Sequence, residues 1–338
     1  MMQTGLFDCQ QRFDQLDKAG DPLVQLNAII DWESFRPALE TLRQKERKSP
    51  AGRKPYDVVL MFKITVLRSL YNLAFEAVEF QIRDRLSFMR FLGLTVSDRV
   101  PDEKSIWLFE DQLAKAGLVE TLFGQFDAFL RDNGFTARKG QIVDASIVSV
   151  PRQRNTRDEN AQIKDGEAPE DWPDNKRRQK DTDARWTKKN GKTFFGYKNH
   201  VSVDAKHKFV RVYEVTAASV HDSQVFEELL DEKNCSKDVW ADSAYRSETS
   251  LKMLAAHGFR EHVQRKGCRH RPLSEREKRG NRTRSKIRSR VEHVFGVQTM
   301  MVGDMVIRAI GTIRVRAMIG MRNLVYNLNR YRLLASAG

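Results

Sequence analysis

The sequence predicts an all-helical N-terminal domain over residues 1–135, followed by an α/β domain over residues 136–338. Apolar residues recur at helical spacing through the first part, as in segment 58–92. The β-branched run QIVDASIVSV then begins at Gln141. Beyond it, short apolar strands alternate with amphipathic segments, which is typical of a sheet covered by helices.

In the N-terminal domain, Asp102 has the residue type and position of a helix N-cap, and Gly134 of a helix end. Helix pairs of this kind suit a helix-turn-helix that reads DNA, a dimer interface, or packing alone. Composition does not separate these alternatives.

In the α/β domain, the polar segment 151–192 has almost no aliphatic residues and predicts a loop or insertion. Two strands joined by a turn at Asp204–His207 predict a hairpin. The later elements are a helix over SQVFEELLDEK, a strand in DVWADSAY, a helix over SETSLKMLAAHG, a strand REHVQR, a helix from Ser285 and a last helix over roughly 313–334. This is the element order of the ribonuclease-H-like fold, with a mixed five-stranded sheet.

The composition excludes several classes of protein. The chain has 338 residues, of which 40% are hydrophobic, and it can bury a sizeable core. It has no apolar run long enough for a transmembrane helix, and its first residues lack the apolar core of a signal peptide. Cys9, Cys235 and Cys268 are too far apart for a zinc pair and too few for a disulfide framework. We therefore expect a cytoplasmic protein without a membrane partner.

The positive charge lies at one end of the chain. Of a net charge of +14, residues 261–338 hold +13, from 18 Lys and Arg against 5 Asp and Glu. A charge of one sign confined to one region favours a polyanionic partner, most commonly nucleic acid, over a solubilising surface, which usually mixes both signs.

Three carboxylates are candidates for a metal site. Asp144 interrupts the apolar strand IVDASIV, where a carboxylate needs a cationic partner; a salt bridge or an edge strand is its alternative. Asp242 follows the apolar run Val239–Ala241, and a helix cap or Asx turn is its alternative. Glu292 lies on a helix beside an apolar stripe, and an ion pair with Arg288 is its alternative.

Taken together, the three carboxylates make a stronger prediction. In a ribonuclease-H-like sheet, the first strand, the end of the fourth strand and the last helix meet at one edge. Three carboxylates there can hold two Mg²⁺ ions about 3.5–4 Å apart, which suits in-line attack at a phosphodiester. The basic C-terminal region would supply phosphate contacts.

The α/β domain contains five sequence blocks in this order: VDASIV, FFGYKNHVSVD, HDSQVFEELL, VWADSAYRSE and RSRVEHVFG. In these blocks the sequence resembles the bacterial DDE transposases of insertion sequences, in particular the family named for insertion sequence five. The family's catalytic carboxylates fall on Asp144, Asp242 and Glu292. Its Y-x2-R-x3-E-x6-K signature keeps Arg288, but Ser285 and Thr299 replace the tyrosine and the lysine.

The resemblance implies a bacterial, nucleoid-associated transposase that binds terminal inverted repeats, cleaves the DNA ends and joins 3′-hydroxyls to target DNA. It also implies Mg²⁺, with Mn²⁺ as a substitute, and a homodimer or larger oligomer on double-stranded DNA. Two alternatives stay open: a catalytically inactive DNA-binding protein or repressor, and a structure-specific nuclease of the same fold.

Several other residues are candidates for contact with DNA. Arg288 is expected to position a phosphate or to hold Glu292, and Lys198 or His200 to approach the scissile phosphate. Trp186 offers a ring for base stacking, with partial burial as its alternative. His221 is read as a helix cap, Asp204 as a turn residue, Asp183 as an alternative carboxylate, and Cys268–His270 as a basic loop. The DNA-binding set is Arg288, Lys198, His200, Arg284, Lys286, Arg290 and Trp186.

Overall fold

The computed structural model describes residues 8–43, 54–166, 168–302 and 306–336. The chain forms two compact units. The first unit consists of the chain up to Gln125 together with the chain from Leu324 onward. The second unit runs from Phe126 to Asn323.

Helices make up the N-terminal region, as the sequence predicts, with short 3₁₀ helices at Trp32–Phe35 and Thr41–Arg43. The α-helices before the sheet are α1 (Asp8–Lys18), α2 (Pro22–Ile29), α3 (Arg36–Glu40), α4 (Val58–Leu70), α5 (Phe75–Asp84), α6 (Leu86–Leu92), α7 (Glu103–Lys115) and α8 (Leu118–Asp132).

Helix α4 supplies much of the helical core, with Phe62 and Ile64 fully buried. Asp57 caps its N-terminus by accepting two backbone hydrogen bonds from the first turn. The predicted cap of α7 is confirmed, because the Asp102 carboxylate accepts a hydrogen bond from the Ser105 amide at 2.8 Å.

The second unit is built on one mixed sheet, and the ribonuclease-H-like fold class is confirmed. The first strand is antiparallel to the third and parallel to the fifth, which in turn is parallel to the sixth. The fourth strand pairs with the outer side of the third. The strands are β1 (Gln141–Ser149), β2 (Arg185–Lys189), β3 (Lys192–Asp204), β4 (Val210–Ala217), β5 (Asp238–Ala241) and β6 (Arg260–Val263).

The sheet has six strands, where the sequence predicted five. The extra strand, β2, lies in the segment predicted to be a loop, which also holds α9 (Arg157–Lys164) and α10 (Asp174–Gln179). β2 contains no aliphatic residue, so its pattern does not indicate a strand. It pairs with the start of β3, where Trp186 packs on Phe195 with ring centroids 5.0 Å apart.

The helix predicted after His221 is instead two 3₁₀ helices, Asp222–Val225 and Glu227–Leu229. Phe226 and Leu229 are both buried. They are three residues apart, so a tight helix with three residues per turn brings both to the same core.

The remaining helices are α11 (Glu248–Ala256), α12 (Glu275–Val302) and α13 (Thr312–Ala335). Helix α12 begins ten residues before the predicted start at Ser285. Ser274 and Glu277 form a reciprocal capping box, in which each side chain accepts a hydrogen bond from the other residue's amide. This cap extends the helix through the basic stretch, and the predicted stripe residues Val291 and Val294 are buried.

In the part of the chain that the structure describes, no single helix is long and apolar enough to cross a membrane. The pair Val58–Leu70 and Phe75–Asp84 meets the requirement of length and composition only together, across a bend of 105°.

Candidate active site

Asp144 lies on β1, the strand between β3 and β5. Its side chain is 14% exposed, and its Oδ2 accepts a hydrogen bond from Arg288 Nη1 at 2.6 Å. Burial raises the pKa of the Asp144 carboxyl, Arg288 opposes this shift, and the negative charge of Asp242 adds to it. A carboxylate in this setting is stabilised by any cation that can reach it.

Asp242 follows β5 directly and lies beside Asp144. β1 and β5 are parallel, with Val143 opposite Ala241, so the next residue of each strand is one of the two aspartates. The Asp242 carboxylate also accepts a hydrogen bond from the Ala244 amide at 2.7 Å. The cap and the position beside Asp144 therefore occur together, although the sequence presented them as alternatives.

Glu292 is linked to Asp144 by Arg288, which contacts both carboxylates. Its side chain is 63% exposed, and its Oε1 lies 3.5 Å from Arg288 Nη2. Arg288 thus contacts the Asp144 and Glu292 carboxylates with its two terminal nitrogens. The ion pair predicted as the alternative for Glu292 is present, and the guanidinium links the helix to the strand.

Lys198 and His200 of β3 face Asp222, which begins the 3₁₀ helix after His221. Lys198 Nζ donates hydrogen bonds to the Val220 carbonyl at 2.6 Å and to Asp222 Oδ1 at 2.7 Å. His200 is fully buried, and its Nδ1 lies 4.0 Å from Asp222 Oδ1. Burial lowers the pKa of His200 to about 4, so its imidazole is neutral at pH 7. The structure therefore keeps His200 away from any surface that DNA could reach.

Tyr245 is a polar residue of this site that sequence reasoning missed. Its side chain is fully buried, and its hydroxyl has no hydrogen-bond partner among the described residues. Burial raises the pKa of Tyr245 well above its usual value, and the charges of Asp222, Asp144 and Asp242 act in the same direction. The available signal was its place three residues after Asp242, within ADSAY.

The predicted DNA-binding residues of α12 differ in their surroundings. Lys286 is exposed, Arg284 is half-buried, and Arg290 donates a hydrogen bond to the Ala205 carbonyl at 2.7 Å, which ties the helix to the turn after β3. Trp186 is 43% exposed, so one part of its ring is accessible while Phe195 covers another.

The two departures from the family signature have local partners. Ser285 accepts a hydrogen bond from Gln264 at 2.6 Å, and the Thr299 hydroxyl donates to the Phe295 carbonyl of its own helix at 2.8 Å.

The remaining candidates have structural roles. Asp204 is fully buried and accepts hydrogen bonds from the backbone of its own turn. Asp183 accepts one from the first amide of α13, at Thr312, 2.8 Å away. His221 caps the 3₁₀ helix that follows it, and Cys268 lies in an exposed turn.

A family profile described as a transposase DDE domain matches residues 136–328, more than half of the chain. The chain belongs to the DDE transposase family. A second profile, described as a transposase domain, matches residues 11–112. Among solved structures, a piggyBac transposase synaptic complex with hairpin DNA, studied by cryo-EM, is 10% identical, with a TM-score of 0.46. The match covers 94% of this chain and 75% of that one.

DDE transposases are metal-dependent enzymes, and the donor chemistry of this transposase fits a divalent ion. Asp144, Asp242 and Glu292 offer only carboxylate oxygens, the ligands that Mg²⁺ prefers. Among the described residues, no three His, Cys, Asp or Glu side chains are gathered as a ligand set. The positive charge that Asp144 requires is supplied by Arg288, which lies between Asp144 and Glu292.

Proposed function

We propose that this transposase binds the terminal inverted repeats of a bacterial insertion sequence of the insertion-sequence-five type, cleaves the DNA ends and joins their 3′-hydroxyls to target DNA. The observation that carries the proposal is the pair Asp144 and Asp242 on neighbouring parallel strands, with Arg288 and Glu292 of α12 beside them. Binding of DNA alone would not require two adjacent carboxylates at the end of a sheet.

Asp144, Asp242 and Glu292 would hold two Mg²⁺ ions, for which Mn²⁺ is a substitute. When bound, such a pair activates the attacking oxygen and stabilises the leaving oxygen of a phosphodiester. The chain's own contribution is to keep the two aspartates adjacent on rigid strands. The raised pKa of Asp144 predicts that this site gains ligand capacity as the pH rises, because a carboxyl must lose its proton to bind a cation.

When DNA binds, Arg288 would exchange its hydrogen bond to the Asp144 carboxylate for one to a DNA phosphate. Its guanidinium now bonds to Asp144 at 2.6 Å. A guanidinium also binds phosphate oxygens in a bidentate manner, and a DNA phosphate would compete with the carboxylate for it. The exchange would neutralise the phosphate and leave the Asp144 oxygens free to bind a cation.

Lys198 would approach the scissile phosphate beside Asp144 and Asp242. Its side chain is 13% exposed, and Asp222 holds its ammonium group in place. The exposed Lys286 and the half-buried Arg284 of α12 would bind phosphates along the duplex. The helical N-terminal region would recognise the terminal repeats or pair two subunits, because two ends must be joined in one complex.

The test is a strand-transfer assay with the element's own terminal repeats as precleaved duplexes and a supercoiled target. Asp144→Asn, Asp242→Asn and Glu292→Gln should each abolish joining while binding of the ends persists. Asp238→Asn is the matched control, since Asp238 begins the strand that Asp242 follows and pairs with Arg260 and His262 instead.

Other results of this assay would indicate a different function or contradict the mechanism. Cleavage without joining by the wild type would indicate a nuclease of the same fold. Binding of the repeats without cleavage or joining, in Mn²⁺ as well as Mg²⁺, would indicate an inactive DNA-binding protein. Joining by Asp144→Asn would contradict the proposed mechanism.

A further inference from the structure

The tip of the β2–β3 hairpin is a tight, basic turn. Asn190 and Gly191 link the two strands and both have positive φ angles, 51° and 78°, which is typical of a type I′ turn. The pairing of the strands places Lys189 directly opposite Lys192. Lys188 precedes them on the other face of the hairpin, and all three lysines are exposed.

The Lys189–Lys192 pair is unfavourable for the hairpin itself. Like charges directly opposite each other on neighbouring strands destabilise their pairing. In the part of the chain that the structure describes, neither lysine forms an ion pair, whereas Lys198 and Lys252 do. An anion outside the chain would remove this repulsion.

The surrounding sequence has one sign of charge. Between Asp183 and Asp204 the chain contains Arg185 and four lysines but no Asp or Glu. A single small anion needs one or two cations, whereas a segment of uniformly positive charge is suited to a chain of phosphates.

The hairpin is anchored close to the catalytic strand. Gly196, where β3 passes from β2 to β1, has φ 151°, and a Cβ there would come within 2.2 Å of the Val148 carbonyl. Arg152, which follows β1, donates a hydrogen bond to the Thr193 carbonyl at 3.3 Å and lies over the Trp186 ring at 5.8 Å. These contacts fix the hairpin against the end of β1.

The charge at the tip also acts on the active site. Lys189 is among the groups that lower the pKa of Asp144, with Arg288 the stronger of the two. Lys189 therefore contributes to the positive field at Asp144, although 45 residues separate the two in the sequence.

We propose that Lys189 and Lys192 bind backbone phosphates of the DNA strand that enters the active site. This inference rests on the proposed transposase function and adds a DNA contact from the inserted hairpin. The charge would draw the strand towards Asp144 and Asp242, while the exposed part of Trp186 lies on the opposite face of the same hairpin.

The first test measures binding to a fluorescein-labelled, random-sequence duplex by anisotropy in Mg²⁺-free buffer at several KCl concentrations. Losing two phosphate contacts should reduce the slope of log K against log[KCl] by about 1.8 in Lys189→Gln/Lys192→Gln. Lys189→Arg/Lys192→Arg should keep the slope. Lys233→Gln/Lys252→Gln, which removes the same charge from exposed sites in the same unit, should also keep it. An unchanged slope in the Gln pair would overturn the proposal.

The second test places the contact at the active site. In the strand-transfer assay, the Gln pair should raise the KM for precleaved ends and leave kcat near the wild-type value, because the lysines bind the DNA before and during the reaction alike. A reduced salt slope with an unchanged KM would place the contact elsewhere and also overturn the proposal. Absence of joining by the wild type would refute the proposed function, while the salt slope would still decide whether the lysines bind phosphate.

Discussion

His200 should make the Phe126–Asn323 unit, which holds most of the DDE domain and is named the catalytic unit, lose stability as the pH falls from 7 to 5. Its side chain is fully buried, and burial lowers its pKa from 6.5 to about 4. Lys198 acts in the same direction, while Asp222 and Glu214 oppose the shift. Its Nε2 is hydrogen-bonded to the Thr216 hydroxyl at 2.9 Å. The unfolded chain therefore binds a proton more readily than the folded one.

The magnitude follows from the two pKa values. With the unfolded pKa near 6.5 and the folded pKa about 4, the unfolded state binds more protons throughout this interval, so the free energy of unfolding decreases as the pH falls. One pKa unit corresponds to about 1.4 kcal/mol, which gives a loss of about 2 kcal/mol by pH 5 and roughly 3 kcal/mol below pH 4.

The assay compares the wild type with His200→Gln, whose amide can still bond to Thr216 and does not titrate. Urea denaturation would be measured from pH 7.5 to 5, with hydrogen exchange of the β3 amides reporting the catalytic unit by itself. His257→Gln is the matched control, because His257 is partly exposed beside Glu227 and Glu232. The wild type and His257→Gln should lose about 2 kcal/mol more than His200→Gln. Equal losses in all three would refute the reasoning.

Three further substitutions have defined expected results. Burial lowers the pKa of Lys63 to about 8, so its charge destabilises the helical unit below that pH. After an allowance for partial exposure, Lys63→Met should raise the free energy of unfolding by about 1 kcal/mol at pH 7, with the gain shrinking towards pH 10.5, as urea titrations at the two pH values would show. Gly196→Ala should cost about 3 kcal/mol in the same measurement, because its Cβ would collide with the Val148 carbonyl; a loss below 1 kcal/mol would contradict this contact. Asn323→Leu should cost about 2 kcal/mol, because it removes the hydrogen-bond partner of the buried Asn199 and Gln298 amides; the conservative Asn323→Gln should recover part of this loss if hydrogen bonding is the cause.

The order of the strands could be predicted because buried strands have apolar, β-branched sequences. Apolar, β-branched runs mark β1, β3, β4 and β5, and their order selects one sheet topology. β2 could not be found in this way, since its stability comes from pairing with β3 and from the Trp186–Phe195 contact. The early start of α12 did have a local signal, the capping pair Ser274 and Glu277, but the surrounding positive charges indicated a loop.

The adjacency of Asp144 and Asp242 could be predicted for the same reason, since each stands at a known position of a strand. The ion pair of Glu292 with Arg288 could also be predicted, from their spacing of four residues on a helix. Which arginine pairs with Asp144 could not, because this depends on how α12 packs against the sheet. The burial of His200 depends on which face of β3 is covered, and the sequence of one strand does not reveal this. The burial of Tyr245 beside the two aspartates could be predicted only with knowledge of the 3₁₀ helix that follows β5.

The cations of the proposed active site are of two kinds, and this difference bears on function. Arg288 and Lys198 pair with Asp144 and Asp222, and each pair offsets the cost of a largely buried carboxylate. Lys189 and Lys192 face each other across the hairpin, so the repulsion between their charges opposes hairpin pairing. Two like charges that face each other on a tight turn are accounted for by a partner that is present only when the transposase acts. Of the partners available to such an enzyme, the DNA backbone is the one whose charge matches.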